Sequence, residues 1–387
     1  MANYDYEIVN GRKIRVRPKE TVSEIDKNGY FRRQPNHFTT PFGDGENDLK
    51  AEGNKRYRLV WAKLCHWSNR AAIVRELEGL EDQISVNMVE HAPYEKNLGW
   101  EYVYNENNID PVLGDQFLSE AYYRADDDYQ GRTTVPALID TTTGKVVNND
   151  YNWLTTYFEV NFRPWHKKGA PELYPVELRE EIDKMNLWLF DNINNAVYRS
   201  SFSRSNEGHF DGVNTFYAAM DRLEKRLETN RFLFGDYVTD SDIRLYVTLA
   251  RLDIRYTAQL GETKRPLYTY KNLWGYAKEL WEIPAFKNNT FFADFAVPPA
   301  DAKGRIEGEE DGFRASTHYD LALPKIDWDA QWKVSTERAY LSSDPTHPIY
   351  LGNNRRFDID PTWYDLGAES PKKEEKETPP SCGCCCG

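Results

Sequence analysis

The sequence predicts an α/β domain followed by an all-α domain. From about residue 55 to 160, apolar runs and helical patterns alternate in the order strand, helix, strand, helix, strand, strand, helix, which is typical of a sheet covered by helices. Beyond Pro164 the apolar residues recur at i, i+3 and i+4, over 176–197, 210–228, 240–256 and 272–281. A chain of 387 residues is long enough for two domains with separate cores.

Composition divides the chain further. The predicted order is an ordered but irregular N-terminal extension at 1–52, the α/β domain at 53–163, the all-α domain at 164–300, a C-terminal extension at 301–366, and a linker with a cysteine-rich tail at 367–387. Acidic and aromatic residues at about 92–130 indicate an insertion in the α/β domain, and loops of that length are often functional. The linker is charged and contains proline, so it cannot bury a core and is predicted to be disordered.

Charge and hydropathy exclude several partners. Lys and Arg number 49 against 62 Asp and Glu, and a net charge of −13 opposes binding to nucleic acids or anionic membranes. No apolar stretch approaches the roughly twenty residues of a membrane span. The first residues also lack the basic and apolar regions of a signal peptide. We therefore expect a cytoplasmic protein with no nucleic-acid partner and no membrane span.

Cys65 is the first candidate for chemistry. It follows an apolar, strand-like run and precedes a helical pattern, so its thiol would lie at a helix N-terminus, where backbone N–H groups favour the thiolate. The cations Lys63 and Arg70 act in the same direction. The alternative is a small buried hydrophobic residue. The other four cysteines lie in the last six residues, so no resolving thiol is near and an external thiol must complete any catalytic cycle.

A second unit begins 70 residues later. Residues 131–150 indicate a strand, a turn, a second strand and a helix start, and Pro136 opens the first of these strands. A cis Val135–Pro136 bond suits this position and would leave the backbone of Val135 free to pair with a bound peptide. The alternative is an ordinary trans proline at a strand start. The Cys65 unit upstream favours the cis form.

One further motif predicts a folding role. Thr239 precedes an apolar helical pattern, and Asp242 stands three residues later. This spacing is typical of a capping box, in which the Asp carboxylate reaches back to the start of the helix.

Together these residues resemble a known family. The matching segments are 70–82, 99–100, 131–136, 147–149, 173–175, 194–198 and 239–246. Over more than half of its length, the chain resembles the glutathione transferase superfamily, and within it the Xi class, the glutathionyl-hydroquinone reductases. The resemblance implies a thioredoxin-like N-terminal domain, an all-α helical-bundle domain and a homodimer.

The resemblance also implies a reaction and a set of site residues. The Cys65 thiolate attacks the sulfur of a glutathionyl-hydroquinone, the ring carbon takes a proton, and a second glutathione releases the resulting mixed disulfide. The Tyr198 hydroxyl would contact the quinol oxygen, the alternative being a core tyrosine. The thiol-binding residues implied are Trp100, Arg70, Val135, Pro136 and Asp150. No tightly bound cofactor and no metal at the site are expected.

The chain departs from the family pattern at two points near the thiol. The family has Cys-Pro-Trp-Ala where this chain has His66 after Cys65. We expect His66 to face solvent, the alternative being an imidazolium beside the thiol. The family also has Glu-Ser where this chain has Asp150 and Tyr151. Asp150 can still pair with an ammonium, but Tyr151 fills space, so the cosubstrate is glutathione or another low-molecular-weight thiol.

The C-terminal part of the sequence supports fewer assignments of site residues. Residues 317–319 are at best a remnant of the family's C-terminal segment, so no second substrate tyrosine is assigned. The tail cysteines, Cys382 to Cys386, suit a soft metal, a lipid or thiol exchange, and metal or thiol exchange is preferred.

Two classes of function remain. The first is a thiol-dependent reductase or transferase acting on quinone-like or other electrophilic small molecules. The second is a noncatalytic transferase-like binding protein, in which the changes at His66, Asp150 and Tyr151 record lost thiol binding.

Overall fold

The computed structural model describes residues 4–17, 23–92, 96–257, 260, 265–295, 327–333 and 338–342. Within them a four-stranded mixed sheet with helices is followed by helices alone, as expected. Residues 317–319 and the Cys382–Cys386 tail lie outside the described residues. The boundaries between domains stay predictions.

The sheet of the first domain has the order β4-β3-β7-β8. Its strands are β3 (Tyr57–Trp61), β4 (Ile84–Met88), β7 (Ala137–Asp140) and β8 (Lys145–Asn148). β3 pairs in parallel with β4, while the β3–β7 and β7–β8 pairs are antiparallel. The parallel pair requires a crossover, which helix α1 (His66–Leu77) supplies. Cys65 therefore lies between a central strand and the start of a buried helix.

The segment predicted as an insertion contains the second helix of the domain. This helix, α2 (Leu118–Ala125), contacts β8, and α3 (Leu154–Val160) follows the sheet. Before α2, the two-residue strands β5 (Glu90–His91) and β6 (Trp100–Glu101) pair with each other. Gly99 has φ +83°, and a Cβ there would lie 2.6 Å from the Thr133 hydroxyl oxygen. Glycine thus permits the close approach that brings Trp100 to the segment before Pro136.

The second part of the chain is helical. Its helices are α4 (Arg179–Leu189), α5 (Ala196–Phe202), α6 (Asn206–Arg226), α7 (Asp240–Arg251), α8 (Lys271–Trp281), α9 (Pro284–Asn288), α10 (Phe292–Phe295) and α11 (Trp328–Trp332). Wide π-helical turns continue α4 over Phe190–Asn194 and α7 over Leu252–Tyr256. Among the described helices, none is long and apolar enough to cross a membrane.

One hydrophobic core joins the two parts. α1 and α3 contribute Ile73, Val74 and Phe158 to a cluster that also contains Met185 of α4 and Leu245 of α7. Because α1 packs against α7, all of its first six residues are buried. A second cluster on the other face of the sheet contains Cys65.

The N-terminal extension bridges the two parts. It begins with a hairpin of β1 (Tyr6–Val9) and β2 (Arg12–Arg15). The Gly29 carbonyl then accepts a 2.7 Å hydrogen bond from the backbone N–H of Arg204, and Phe38 exchanges 2.9 Å hydrogen bonds with Asn149 beside β8. Gly29 has φ +80°, and its Cβ would lie 2.9 Å from Ser205. The extension therefore crosses from the helical part to the sheet edge.

Candidate functional site

Cys65 occupies the N-cap position of α1. Its backbone is extended, with φ −83° and ψ 117°, and its side chain is 8% exposed. The thiol lies 3.6 Å from the carbonyl oxygen of Val135, to which it donates. The Val135–Pro136 bond is cis, as the sequence predicted. The turn that carries Cys65 and the segment around Val135, 70 residues later, therefore come together at the sulfur.

Two buried guanidinium groups surround the turn that carries Cys65. Arg251 donates to the carbonyls of Lys63 and Leu64, both at 2.9 Å. Burial lowers the pKa of Arg251, and proximity to Cys65 acts against this lowering. The same two effects act on the pKa of Arg70. Two buried cations thus lie within electrostatic range of the sulfur.

Tyr198, on α5, faces the thiol domain as predicted from the resemblance. Its ring centroid lies 5.2 Å from that of His66 and 6.0 Å from that of Trp67. Burial raises the pKa of Tyr198, and the nearby Cys65 raises it further. The phenol therefore keeps its proton at neutral pH and can donate it beside the sulfur.

Four rings and one cation form an aromatic cage next to the thiol. The rings belong to Phe31, Trp67, Tyr151 and Tyr198, and the guanidinium of Arg33 lies between 4.4 and 5.7 Å from their centroids. Arg33 Nε donates to the Asn195 side chain at 3.2 Å. Its Nη2 is buried without a hydrogen-bond partner in the described part of the chain. The four rings thus hold the guanidinium by cation–π contacts, and its unpaired Nη2 can donate a hydrogen bond to an oxygen of a bound molecule.

The remaining predicted binding residues surround the same region. Trp100 donates from Nε1 to the carbonyl of Thr133 at 3.1 Å, two residues before Val135. Asp150 Oδ1 accepts from Asn36 Nδ2 at 2.9 Å and from the backbone N–H of Asn152 at 3.0 Å.

Arg70 contacts the predicted binding residues through a backbone carbonyl. It is only 2% exposed and donates to the carbonyl of Tyr151. It therefore holds the turn that carries Asp150 and Tyr151.

The expectation that His66 faces solvent is wrong. Its side chain is fully buried because the first turn of α1 lies between the sheet and α7. Burial, together with the positive charges of Arg251, Arg33 and Arg70, lowers its pKa well below 6.5. The imidazole is therefore neutral at physiological pH, which also excludes an imidazolium beside the thiol.

Sequence reasoning missed Arg33 and Tyr256. The Tyr256 hydroxyl lies 3.0 Å from His66 Nδ1, and burial raises its pKa well above 10. The apolar periodicity over 240–256 indicated only a core position for Tyr256. Arg33 stands in a polar segment without periodicity, so no local signal distinguishes it from Arg32.

The structure describes no metal centre. In the described ranges, no three His, Cys, Asp or Glu side chains are grouped so that they could hold an ion.

Comparisons with known proteins identify the family of this chain. The family model for the glutathione S-transferase C-terminal domain matches residues 197–279. Glutathione S-transferase omega-like 2 of Schizosaccharomyces pombe is 34% identical over 277 residues, 69% of this chain and 87% of the relative. The Xi glutathione transferase structure from Phanerochaete chrysosporium is 33% identical, with a TM-score of 0.63, covering 68% of this chain and 90% of that one. The chain belongs to the Xi class of the glutathione transferase superfamily.

A further relative of this Xi-class chain carries a name that states a reaction. Glutathionyl-hydroquinone reductase YqjG of Escherichia coli is 32% identical over 237 residues, 61% of this chain and 72% of the relative. The glutathione-bound structure of YqjG has a TM-score of 0.64 and 28% identity, covering 80% of this chain and 97% of that one. The predicted family and fold class are thus confirmed for the Xi-class chain.

Proposed function

We propose that this chain is a thiol-dependent reductase that removes glutathione from glutathionyl-hydroquinones through a mixed disulfide on Cys65. The observation that carries the proposal is the position of the thiol at the N-cap of α1, beside the protonated phenol of Tyr198 and the aromatic cage. The name of the Escherichia coli relative supports the same reaction.

The proposed first step breaks a carbon–sulfur bond. The ring carbon that carries sulfur takes a proton while a ring hydroxyl releases one, which gives a keto form of the ring. The Cys65 thiolate then attacks the sulfur, and the electron pair of the broken bond restores the aromatic ring and leaves negative charge on the ring oxygen. That oxygen takes a proton, the hydroquinone leaves reduced, and a Cys65–glutathione disulfide remains.

The second step restores the enzyme. A second glutathione, after losing its thiol proton, attacks the mixed disulfide, which releases oxidised glutathione and the Cys65 thiolate. The thioether sulfur of the substrate and the thiol sulfur of the second glutathione thus become one disulfide for each ring carbon reduced. No tightly bound cofactor is required.

The other site residues take roles consistent with their positions. Tyr198 donates a hydrogen bond or proton at the ring, because its raised pKa keeps it protonated. Trp100 and the Val135–Pro136 backbone border the peptide of the cosubstrate, and Asp150 pairs with its ammonium. Arg70 positions the Asp150–Tyr151 turn through the Tyr151 carbonyl.

Tyr151 narrows the choice of cosubstrate. Its ring lies 4.6 Å from that of Trp67 and is stacked 6.2 Å from Phe190. A large ring here reduces the room for a γ-glutamyl group. Glutathione should therefore be compared with cysteine and cysteinylglycine as the second thiol, and a preference for the smaller thiols would assign the cosubstrate to another low-molecular-weight thiol.

The test is turnover of glutathionyl-menadiol by the full chain. The wild type should release menadiol and oxidised glutathione in equal amounts, while Cys65→Ser should lose at least about 10³-fold of this activity because a hydroxyl is a far weaker nucleophile. A variant with all four tail cysteines changed to serine is the matched control and should keep full activity. An inactive wild type with every thiol tried would instead favour the noncatalytic binding protein.

A further inference from the structure

His66 is a buried side chain whose chemistry the proposed reaction does not yet use. It is the first residue of α1, directly after Cys65, and its ring touches both the cage and the helical part. Its Nδ1 faces two hydroxyls, those of Tyr256 at 3.0 Å and Thr248 at 3.4 Å. Its Nε2 is buried and has no hydrogen-bond partner within the described ranges.

The hydrogen bonds of Thr248 and Tyr256 fix the position of the ring proton. The Thr248 hydroxyl oxygen already accepts from Asn194 Nδ2 at 2.8 Å, so its own proton needs an acceptor. The Tyr256 hydroxyl keeps its proton because burial raises its pKa well above 10. The single lone pair of Nδ1 can accept from the nearer hydroxyl, that of Tyr256, and it also lies within reach of the Thr248 proton. The proton of the neutral ring then resides on Nε2.

The surroundings of His66 keep this arrangement in place across the physiological pH range. Burial and the charges of Arg251, Arg33 and Arg70 oppose protonation of the ring. The other titratable groups at the site, Cys65, Tyr198 and Tyr256, lie in the same cluster of charges. The Nε2–H group is thus a fixed neutral donor in a site of low polarity. An unpaired buried donor costs about 1–3 kcal/mol, so a ligand that accepts from it gains that hydrogen bond.

The position of Nε2 indicates which atom of a ligand could accept a hydrogen bond from it. The two ring nitrogens of an imidazole point in nearly opposite directions, so Nε2 points away from Tyr256 and Thr248. The ring itself contacts Trp67, with centroids 4.2 Å apart, and Tyr198. These two rings belong to the cage in which a flat aromatic substrate would lie.

We propose that the His66 Nε2–H donates a hydrogen bond to a ring oxygen of the aromatic substrate. This inference rests on the proposed function. As the carbon–sulfur bond breaks, the electron pair leaves negative charge on that oxygen, and a preorganised donor stabilises this charge more than it stabilises the neutral ground state. His66 therefore selects electrophiles that carry an oxygen conjugated with the carbon–sulfur bond. Thioethers of rings without such an oxygen are poor substrates.

The test separates the two halves of the reaction in His66→Phe, His66→Gln and the wild type. In His66→Phe, the step that breaks the carbon–sulfur bond should slow by about 10²-fold or more in kcat, the typical loss on removing one such donor. The second step, in which glutathione attacks the mixed disulfide, does not involve the ring oxygen. Release of glutathione by fresh glutathione from a preformed Cys65 mixed disulfide should therefore stay within about twofold of wild type. His66→Gln can place an amide N–H near Nε2 and should restore most of the first step.

Equal slowing of both steps in His66→Phe would show a merely structural role and overturn the proposal, as would an unchanged first step. A long-range ¹H–¹⁵N spectrum of histidine-labelled wild type tests the tautomer without any substrate. A proton on Nδ1 would overturn the proposal, and a proton on Nε2 would support it. An inactive wild type would overturn the proposed function, whereas an active wild type with an unaffected His66→Phe would overturn only the role of His66.

Discussion

At the scale of single residues, the proposed reactivity of Cys65 rests on the groups around it. The backbone N–H groups at the start of α1 and the buried cations Arg70 and Arg251 lie around the residue, and groups of this kind stabilise a nearby anion. His66 contributes no charge, because its burial keeps it neutral. In the proposed reaction, acid–base chemistry at the ring therefore falls to Tyr198, whose raised pKa keeps the phenol protonated.

Tyr198→Phe should lower kcat for glutathionyl-menadiol by about 10²-fold, because it removes a donor beside the reacting ring. Its ring contacts with Arg33 and Trp67 remain, so the free energy of unfolding should stay within about 1 kcal/mol of wild type. Tyr157→Phe is the matched control, because this tyrosine lies on α3 and packs on Phe42. Wild-type kcat in Tyr198→Phe would contradict the assigned role.

Sequence reasoning at this scale succeeded where the signal is local and failed where it is not. The position of Cys65 before a helix follows from neighbouring residues, and the cis Val135–Pro136 bond follows from a proline that opens a strand together with the Cys65 unit upstream. The environment of His66 does not, because the burial of its helix turn is decided by α7, more than 170 residues later. Arg33 and Tyr256 reach the site only through tertiary packing, from segments that have no catalytic motif.

At the scale of elements, α7 is anchored by the predicted capping residue. Asp242 accepts hydrogen bonds from the backbone N–H of Thr239 at 2.8 Å and of Leu233 at 2.9 Å, and from the Tyr276 hydroxyl at 2.8 Å. The carboxylate therefore joins the start of α7 to α8 and to the preceding loop. Since α7 covers α1, this cap also supports the helix that carries the thiol.

Asp242→Ala should lower the free energy of unfolding by about 3–5 kcal/mol, because it removes a cap and leaves several buried donors unpaired. Urea denaturation measures the change. Ser205→Ala is the comparison, because Ser205 caps α6 through a single 3.2 Å bond from Gly208, and it should cost about 1 kcal/mol. Equal losses in the two variants would show that Asp242 is an ordinary cap.

The N-terminal extension is held over the site by Arg33. Arg33→Met should lower the free energy of unfolding by about 1–2 kcal/mol, since the partly buried guanidinium contacts several aromatic rings. The neighbouring Arg32→Met is the matched control. Arg32 is largely exposed and pairs with Asp26 at 2.9 Å, so its loss should cost no more than about 0.5 kcal/mol. Urea denaturation that gives the two variants the same stability would contradict the anchoring role of Arg33.

At the scale of the whole molecule, buried acidic groups lie where the two domains meet. Glu159 of α3 lies beside Asp240 at the start of α7, and Asp240 accepts from Arg244 Nε at 2.6 Å. Burial and the negative charges of Asp240 and Glu78 raise the pKa of Glu159 well above 4.5. The folded state thus holds a proton on Glu159 more tightly than the unfolded chain does. Stability is lost as the pH rises from about 4.5 through this raised pKa.

Glu159→Gln should therefore be more stable than wild type at pH 8, by at least about 1 kcal/mol, and the difference should shrink at pH 5. Urea denaturation at the two pH values measures it. Glu180→Gln, at an exposed position on α4, should change stability little at either pH. A Glu159→Gln variant whose stability relative to wild type is the same at pH 5 and pH 8 would contradict the assigned linkage.

The order of the two domains was predictable because apolar residues recur with different periods in strands and in helices. The alternation of strands and helices, and then the i, i+3, i+4 pattern alone, gave the order of the two domains. The helix predicted between the second and third strands is α2, and it lies within the segment that composition marked as an insertion. The predicted homodimer stays a prediction, which light scattering of the full chain would test.

The most direct test of the central claim is mass spectrometry of the protein after reaction with glutathionyl-menadiol, for wild type and Cys65→Ala. The proposed reaction predicts a glutathione-sized mass on the peptide that contains Cys65, released by added glutathione and absent from Cys65→Ala. A Cys65 that stays unmodified while menadiol is released would contradict it, as would glutathione found only on the tail cysteines.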